Sequence, residues 1–297
     1  MKGMYYRRKI VLALLQVFNW KLEKLSLQKL LFLFTRHQDK KSYDFVPYKS
    51  GCFSFQANAD LNTLTKYKLV EQNGNNWVCI DTTNYLETLK KEDKEAILAT
   101  KKRYGGLTSK ELIKLTYQQF PYFATKSTIA KEVLSKSELE KVEVQKRTHK
   151  ATILFTIGYE GLSIEKYINK LISNDVKVLC DVRKNSFSMK YGFSKSQLKN
   201  ACESVGIRFL HIPEVGIQSE KRKELNCQTD YDRLFEDYKK TVLANQITKQ
   251  VEILELLKDE KRIALTCFEK NIHQCHRKHL ANSISNLEGF RYEIKHI

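Results

Sequence analysis

No run of uncharged apolar residues in this chain approaches the roughly 20 that a membrane-spanning helix needs, so none of its 297 residues is expected to enter a bilayer. Disulfide density is missing too. Seven cysteines, at positions 52, 79, 180, 202, 227, 267 and 275, are an odd number thinly scattered, which excludes a disulfide scaffold and fits a reduced compartment. Cys180, inside the apolar run 176–182, reads as a core residue. A secretory signal is imitated at the start, where Lys2, Arg7, Arg8 and Lys9 precede the apolar stretch 10–18. No small-residue cleavage site follows. The apolar spacing instead runs on through Trp20, Leu22 and Leu25 to Leu27, Leu30, Leu31 and Leu33, as the buried faces of consecutive helices would. Cytoplasmic residence is the expectation.

Acidic residues are also in short supply, with 34 Asp and Glu against 52 Lys and Arg. The imbalance is uneven: residues 1–150 hold 28 basic against 15 acidic side chains, and 151–297 hold 24 against 19. A basic half of this kind suggests an acidic partner, most often nucleic acid, although a Lys-rich composition from an AT-rich genome gives the same number without binding.

Three regions follow from the patterning. Residues 5–20 and 26–38 read as amphipathic helices, 43–49 as a short strand and 54–68 as a third helix. A hairpin comes next, 69–71 and 77–80 flanking the Asn73-Gly74 turn signal, with Asn75-Asn76 lengthening the loop. Helices and then a hairpin give the order of a winged helix, whose third helix here carries only Lys66 and Lys68. Further helices are expected at 92–103 and 108–120, the second capped by Thr108 or Ser109 with Glu111 in its first turn. This winged-helix-like domain spans 1–125, and the mixed-charge stretch 126–150 reads as a solvated helix or linker.

From 151 to 297 the rhythm changes to β-branched, nearly continuous apolar runs at 152–157, 176–182, 207–212 and 262–267. Helical patterns at 163–173, 194–204, 230–257 and 274–286 separate or follow them, and 292–294 offers a fifth strand. The alternation predicts an α/β domain with a mainly parallel sheet covered on both faces. Loops after successive parallel strands meet at the carboxyl edge, where such folds place their ligands. Four chemistry-bearing segments fall there, and one pocket is expected from them.

The first, Gly158-Tyr159-Glu160-Gly161, is neither the dinucleotide fingerprint nor a Walker loop. It offers helix-start N–H groups to an anion, with Tyr159 and Glu160 beside it. Asp181-Val182-Arg183 sends a carboxylate and a guanidinium to one side of a strand end. The loop after it carries Lys190 among hydroxyls and aromatics, suited to stacking a base and neutralising a phosphate. His211-Ile-Pro213-Glu214 ends the third strand, with His211 reading as a hydrogen-bonded core residue and Glu214 as a general base. The densest segment runs from Cys267-Phe-Glu269-Lys270 to Cys275-His276-Arg277. Seven residues between the cysteines match no standard closed four-ligand zinc site, so neither metal nor cofactor is expected. Cys267 or Cys275 could serve as nucleophile near a helix start, while the step to Arg277 is too long for a phosphatase loop. His276 and Arg277, in the first turn of a helix, suit an anion. The structural alternative buries Cys275 and ties Arg277 to Glu269 or Asp181.

Taken together, these four segments, in this order over residues 152–290, resemble the bacterial family called domain of unknown function 488. The resemblance implies an α/β domain with an active site built of those segments, and no reaction comes with it. Tyr159-Glu160-Gly161 stands where many members have a His-Ser-Asn-like run. The first half resembles the SocA-like antitoxin family, or Panacea domain, in Leu27-Gln28-Lys29-Leu30-Leu31, in Pro47-Tyr48-Lys49-Ser50-Gly51-Cys52-Phe53-Ser54 leading to Asp60-Leu61-Asn62-Thr63-Leu64, and in Tyr104-Gly105-Gly106-Leu107. That likeness implies a protein-recognising or nucleic-acid-associated module.

Two functional readings result. In one, a hydrolase or transferase holds a phosphorylated or nucleotide-type anion between Arg183 and Arg277, with Glu214, Glu269 or Asp181 for acid–base work and Cys267 as nucleophile. In the other, the chain is a non-catalytic regulator that binds nucleic acid or a partner protein, in a toxin–antitoxin or defence setting.

Overall fold

Residues 3–222 and 225–297 are described by a computed structural model of the protein. The chain divides into two units, Met1–Lys146 and Arg147–Ile297. Among the described residues no helix is long and apolar enough to cross a membrane.

In the first unit the apolar helices sit at the centre. In α1 (Tyr6–Val17) the six residues from Ile10 to Leu15 are all buried, and α2 (Lys24–Thr35) is buried from Ser26 to its end. Between them β1 (Lys21–Glu23), which the sequence reading did not anticipate, pairs antiparallel with a later strand. The expected strand at 43–49 is the hairpin β2 (Val46–Tyr48) and β3 (Gly51–Phe53). The third helix, α3 (Phe55–Lys66), is capped by the Ser54 side chain. It leads to β4 (Val70–Asn73) and β5 (Asn76–Cys79), in the sheet order β1-β5-β4. Asn76 does not lengthen the turn: it pairs with Asn73, so the loop is Gly74-Asn75, with Gly74 at φ +57°.

Then α4 (Lys91–Tyr104) precedes α5 (Ser109–Gln119), whose cap is Thr108 in a reciprocal box with Glu111. The charged stretch after 125, expected as a solvated helix or linker, is helical. It forms α6 (Ala130–Val133) and α7 (Lys136–Gln145). Ala130, Leu134 and Val142 are buried against Ile113, Tyr117 and Ala124. Its many charges lie on the outer face, and the partly buried Ile129, Val133 and Leu139 pack inward beside the three buried residues. The division between units falls at Lys146, a few residues before the expected 150.

The second unit holds a five-stranded, all-parallel sheet in the order β10-β6-β9-β7-β8. In chain order, β6 (Ile153–Gly158) leads through α8 (Ile164–Ser173) to β7 (Val178–Asp181), and α9 (Lys195–Ser204) to β8 (Arg208–His211). The expected helix 230–257 is interrupted. It consists of α10 (Gln228–Tyr238), a π-helical turn Lys239–Leu243 and α11 (Ile247–Glu260). The buried Gln250 side chain donates to the carbonyls of Leu243 (2.7 Å) and Gln246 (3.2 Å), satisfying acceptors that the break sets free. Next come β9 (Arg262–Cys267), α12 (His276–Ser285) and β10 (Glu293–His296).

Every residue of β6 and β9 is buried, as both faces are covered. Leu265 of β9 joins Leu234, Leu254, Leu257 and Leu280 from α10, α11 and α12 on one face. Its neighbour Thr266 points the other way and accepts the Tyr167 hydroxyl of α8 at 2.7 Å. A fully buried leucine of this kind contributes about 1.5–3 kcal/mol. Because β9 lies between β6 and β7, the strand order reverses there, and the crevice at its carboxyl end is the natural ligand position.

Candidate active site

Each of the four segments is bonded to another at this edge. The Tyr159 and Glu160 amides donate to the Phe268 carbonyl at 3.1 and 2.9 Å, and the Glu160 carboxylate accepts from the Lys270 amide at 2.9 Å. Glycine is required at 158, since a Cβ there would run into the Glu269 carbonyl. Arg183 donates to both oxygens of Asp181 and to the Tyr159 hydroxyl. His211 Nε2 lies 3.0 Å from the Arg183 carbonyl and His276 Nε2 3.0 Å from that of Val182. Carbonyls only accept, so both ring nitrogens carry the proton, and His276 Nδ1 is left facing Cys267 Sγ at 3.5 Å.

Cys267 closes β9 because the last residue of a buried parallel strand delivers its side chain to the edge. It is fully buried, as is Cys275, the cap residue of α12. Burial pushes the Cys267 thiol up, but a hydrogen bond from Cys275, the His276 ring and the Arg222 guanidinium outweigh it and hold it well below the ordinary thiol range. Cys275 goes the other way, raised by burial and by the neighbouring Cys267. Glu269 Oε2 lies 3.2 Å from Cys267 Sγ. Its other oxygen is bonded to Arg222, whose charge offsets what the carboxylate would otherwise cost the thiolate.

A cavity of about 260 Å³ opens over this group, lined by Cys267, His276, Arg183, Arg222, Lys184 and Tyr159 among others. Phe187 and Phe268 also line it and are 72% and 42% exposed, the Phe268 ring standing edge-to-face with Tyr159.

Several expected roles need correction. Arg183 and Arg277 do not form a clamp of free guanidiniums. Burial would lower the Arg183 pKa, but Asp181 and Tyr159, which accept from three of its five N–H groups, push it up. Arg277 is buried, and its NH1 group donates to the Glu269 carbonyl at 2.6 Å, so it braces the loop. Asp181 is fully buried and committed to Arg183, which removes it from acid–base work. Glu214 is exposed and lines a different cavity of about 310 Å³, with Lys184, Lys221, Asp237 and Tyr238. Glu160 is exposed and serves as a loop tie. Lys190 donates to the Tyr159 carbonyl at 3.0 Å and likewise fastens a loop, and burial lowers its pKa.

Sequence reasoning missed Arg222. It ends the short 3₁₀ turn Ser219–Arg222, where its NH1 group is 4.0 Å from Cys267 Sγ. The only sequence signal was the charged Glu220-Lys221-Arg222 run soon after the Pro213 turn. It also weighed metal binding at the Cys267, Cys275 and His276 segment and set it aside on spacing, yet the fold gathers these groups. One ligand atom each from Cys267, Cys275 and His276 lie within 4.8 Å of one another. Spacing along the chain hid this, because a strand end and a helix cap meet only in the fold.

No curated protein matches the chain. Residues 163–284 match the family model described as Domain of unknown function DUF488, so the second unit carries a DUF488 domain.

Proposed function

We propose that the second unit is a hydrolase or transferase acting on a phosphorylated, nucleotide-type substrate held over Cys267. The observation that carries this reading is a single cavity lined by a thiol, an imidazole, Arg222, Lys184 and the exposed rings of Phe187 and Phe268. Cations suit phosphate oxygens, and exposed aromatic rings suit a base.

In this account Glu269 accepts the Cys267 proton, and the thiolate attacks phosphorus. An S–P bond forms as the ester P–O bond breaks, and Glu269 returns the proton to the leaving oxygen. Water, deprotonated by Glu269, then cleaves the S–P bond and releases phosphate. Arg222 faces both the sulfur and Glu269, and its charge stabilises the thiolate before attack.

The test is phosphate release from a panel of nucleoside monophosphates by the full chain kept in chelator. Turnover that falls at least about 100-fold in Cys267→Ala and is weakened in Arg222→Gln supports the reading. Absence of turnover together with no nucleotide binding overturns it.

A second reading is favoured by the first unit. Its helix, strand, helix, hairpin, helix, hairpin order, with sheet order β1-β5-β4, is that of a winged helix with an extra hairpin before the third helix, and supports such a module. The basic excess of residues 1–150 suits nucleic acid. Such a chain would be a regulator whose cavity senses a small anion, in a cytoplasmic toxin–antitoxin or defence setting. Steeply salt-dependent DNA or RNA binding by the full chain, with no turnover, would favour it.

A further inference from the structure

We propose that Cys267, Cys275 and His276 form a binding site for a borderline-soft divalent cation, zinc, with its fourth coordination position facing the cavity. Tetrahedral zinc with Zn–S of about 2.3 Å and Zn–N of about 2.0 Å sets an S···N edge of roughly 3.5 Å and an S···S edge of roughly 3.8 Å. The Cys267 Sγ to His276 Nδ1 separation is 3.5 Å, and all three ligand atoms fall within 4.8 Å of one another. Little movement is needed to close them on an ion.

The surroundings fit as well. A ligating histidine usually donates its other N–H to a carbonyl or carboxylate, which fixes the ring and its tautomer. His276 does this through Nε2 to the Val182 carbonyl at 3.0 Å, so the lone pair of Nδ1 points at the sulfurs. All three residues are buried, which keeps competing water away, yet Cys267 and His276 also line the cavity. Two thiolates and one imidazole with an open position make a ligand set found in catalytic zinc sites. The ion and a covalent adduct would claim the same sulfur, so a zinc-loaded chain and a thiophosphoryl chain are mutually exclusive states.

The experiment titrates the reduced, metal-free full chain with Co²⁺ and Zn²⁺. Cobalt should give one equivalent of sulfur-to-cobalt charge-transfer absorption, bleached by zinc. Cys275→Ser and His276→Gln should each weaken zinc binding more than about 100-fold, beyond the 10- to 100-fold effect of losing an outer-shell partner. Cys227→Ser, which alters an exposed cysteine, should leave it intact. Should those variants not fold, the wild-type chain suffices: zinc should shield Cys267 and Cys275, but not Cys227, from alkylation. Absence of the cobalt band, binding insensitive to Cys275→Ser in a folded variant, or no shielding by zinc would each overturn the proposal. The substrate reading is tested separately on chelated protein, so either can fail alone.

Discussion

Arg183 grips Asp181 through two hydrogen bonds, at 2.7 and 2.6 Å, with the guanidinium 5% and the carboxylate 0% exposed. A pair so deeply buried is costly to break, because the partner left behind is an uncompensated charge. Asp181→Asn should lower stability by about 3–5 kcal/mol in urea titrations, whereas the double variant Asp181→Leu with Arg183→Met should lose clearly less than that. Equal losses in the two variants would mean that the pair is not acting as a unit.

The exposed rings over the cavity give a sharper test of ligand class. Phe187→Ala and Phe268→Ala should each weaken nucleoside monophosphate binding by about 1–3 kcal/mol, the usual range for one stacked base. Neither should change inorganic phosphate binding, which has no base to stack. Calorimetry on the full chain separates the two. Equal weakening of both ligands would point to a general disturbance of the loops.

Glu214 and Glu269 should behave differently, although each lies two or three residues past the end of a strand of the same sheet. Glu269 lies 3.2 Å from the Cys267 sulfur and Glu214 lines another cavity. Glu269→Gln should reduce turnover by the 10²- to 10⁴-fold usual for a positioned acid–base group. Glu214→Gln should leave it within about twofold.

Acid stability should report on His279. Burial, together with Lys239, Lys278 and His276 and only partly offset by Glu236, lowers its pKa to about 4 from 6.5. Between those values the unfolded chain takes a proton that the folded chain refuses, so stability rises with pH across that window. The penalty is complete below pH 4 and gone above 6.5. Partial exposure to solvent screens it, so the effect is modest. The urea midpoint of the wild type should fall more between pH 6.5 and 4 than that of His279→Gln. Parallel curves would contradict the assignment.

Much of the sheet was legible from residue patterns, because buried parallel strands are continuous apolar runs and even the weak fifth strand near Tyr292 lies next to β6. The site was legible as a place and less so as a set of roles. Alternation put Asp181 and Arg183 on one side of a strand end, but could not tell a free guanidinium from one already bound to its neighbour. Arg222 was invisible since it reaches Cys267 from 45 residues away, through a turn with no periodic signal. Metal at the Cys267, Cys275 and His276 segment was weighed and set aside for a related reason, as motif spacing describes local knuckles and not a strand meeting a helix cap. Leu134 shows the same limit in the first unit: a charged stretch was read as solvated, yet this side chain is buried. Leu134→Ala should cost about 2–5 kcal/mol if α6 and α7 belong to that core.

The central claim is that Cys267 is a reactive thiol at the floor of an anion-binding cavity, and competitive labelling tests it most directly. The reduced, chelated full chain is treated with iodoacetamide, with and without inorganic phosphate or a nucleoside monophosphate, and each cysteine is quantified by peptide mass spectrometry. The exposed Cys227 serves as internal reference. Labelling of Cys267 that either anion slows several-fold, while Cys227 is unaffected, is the predicted result. A Cys267 that stays unlabelled, or one whose labelling ignores both anions, would contradict the account.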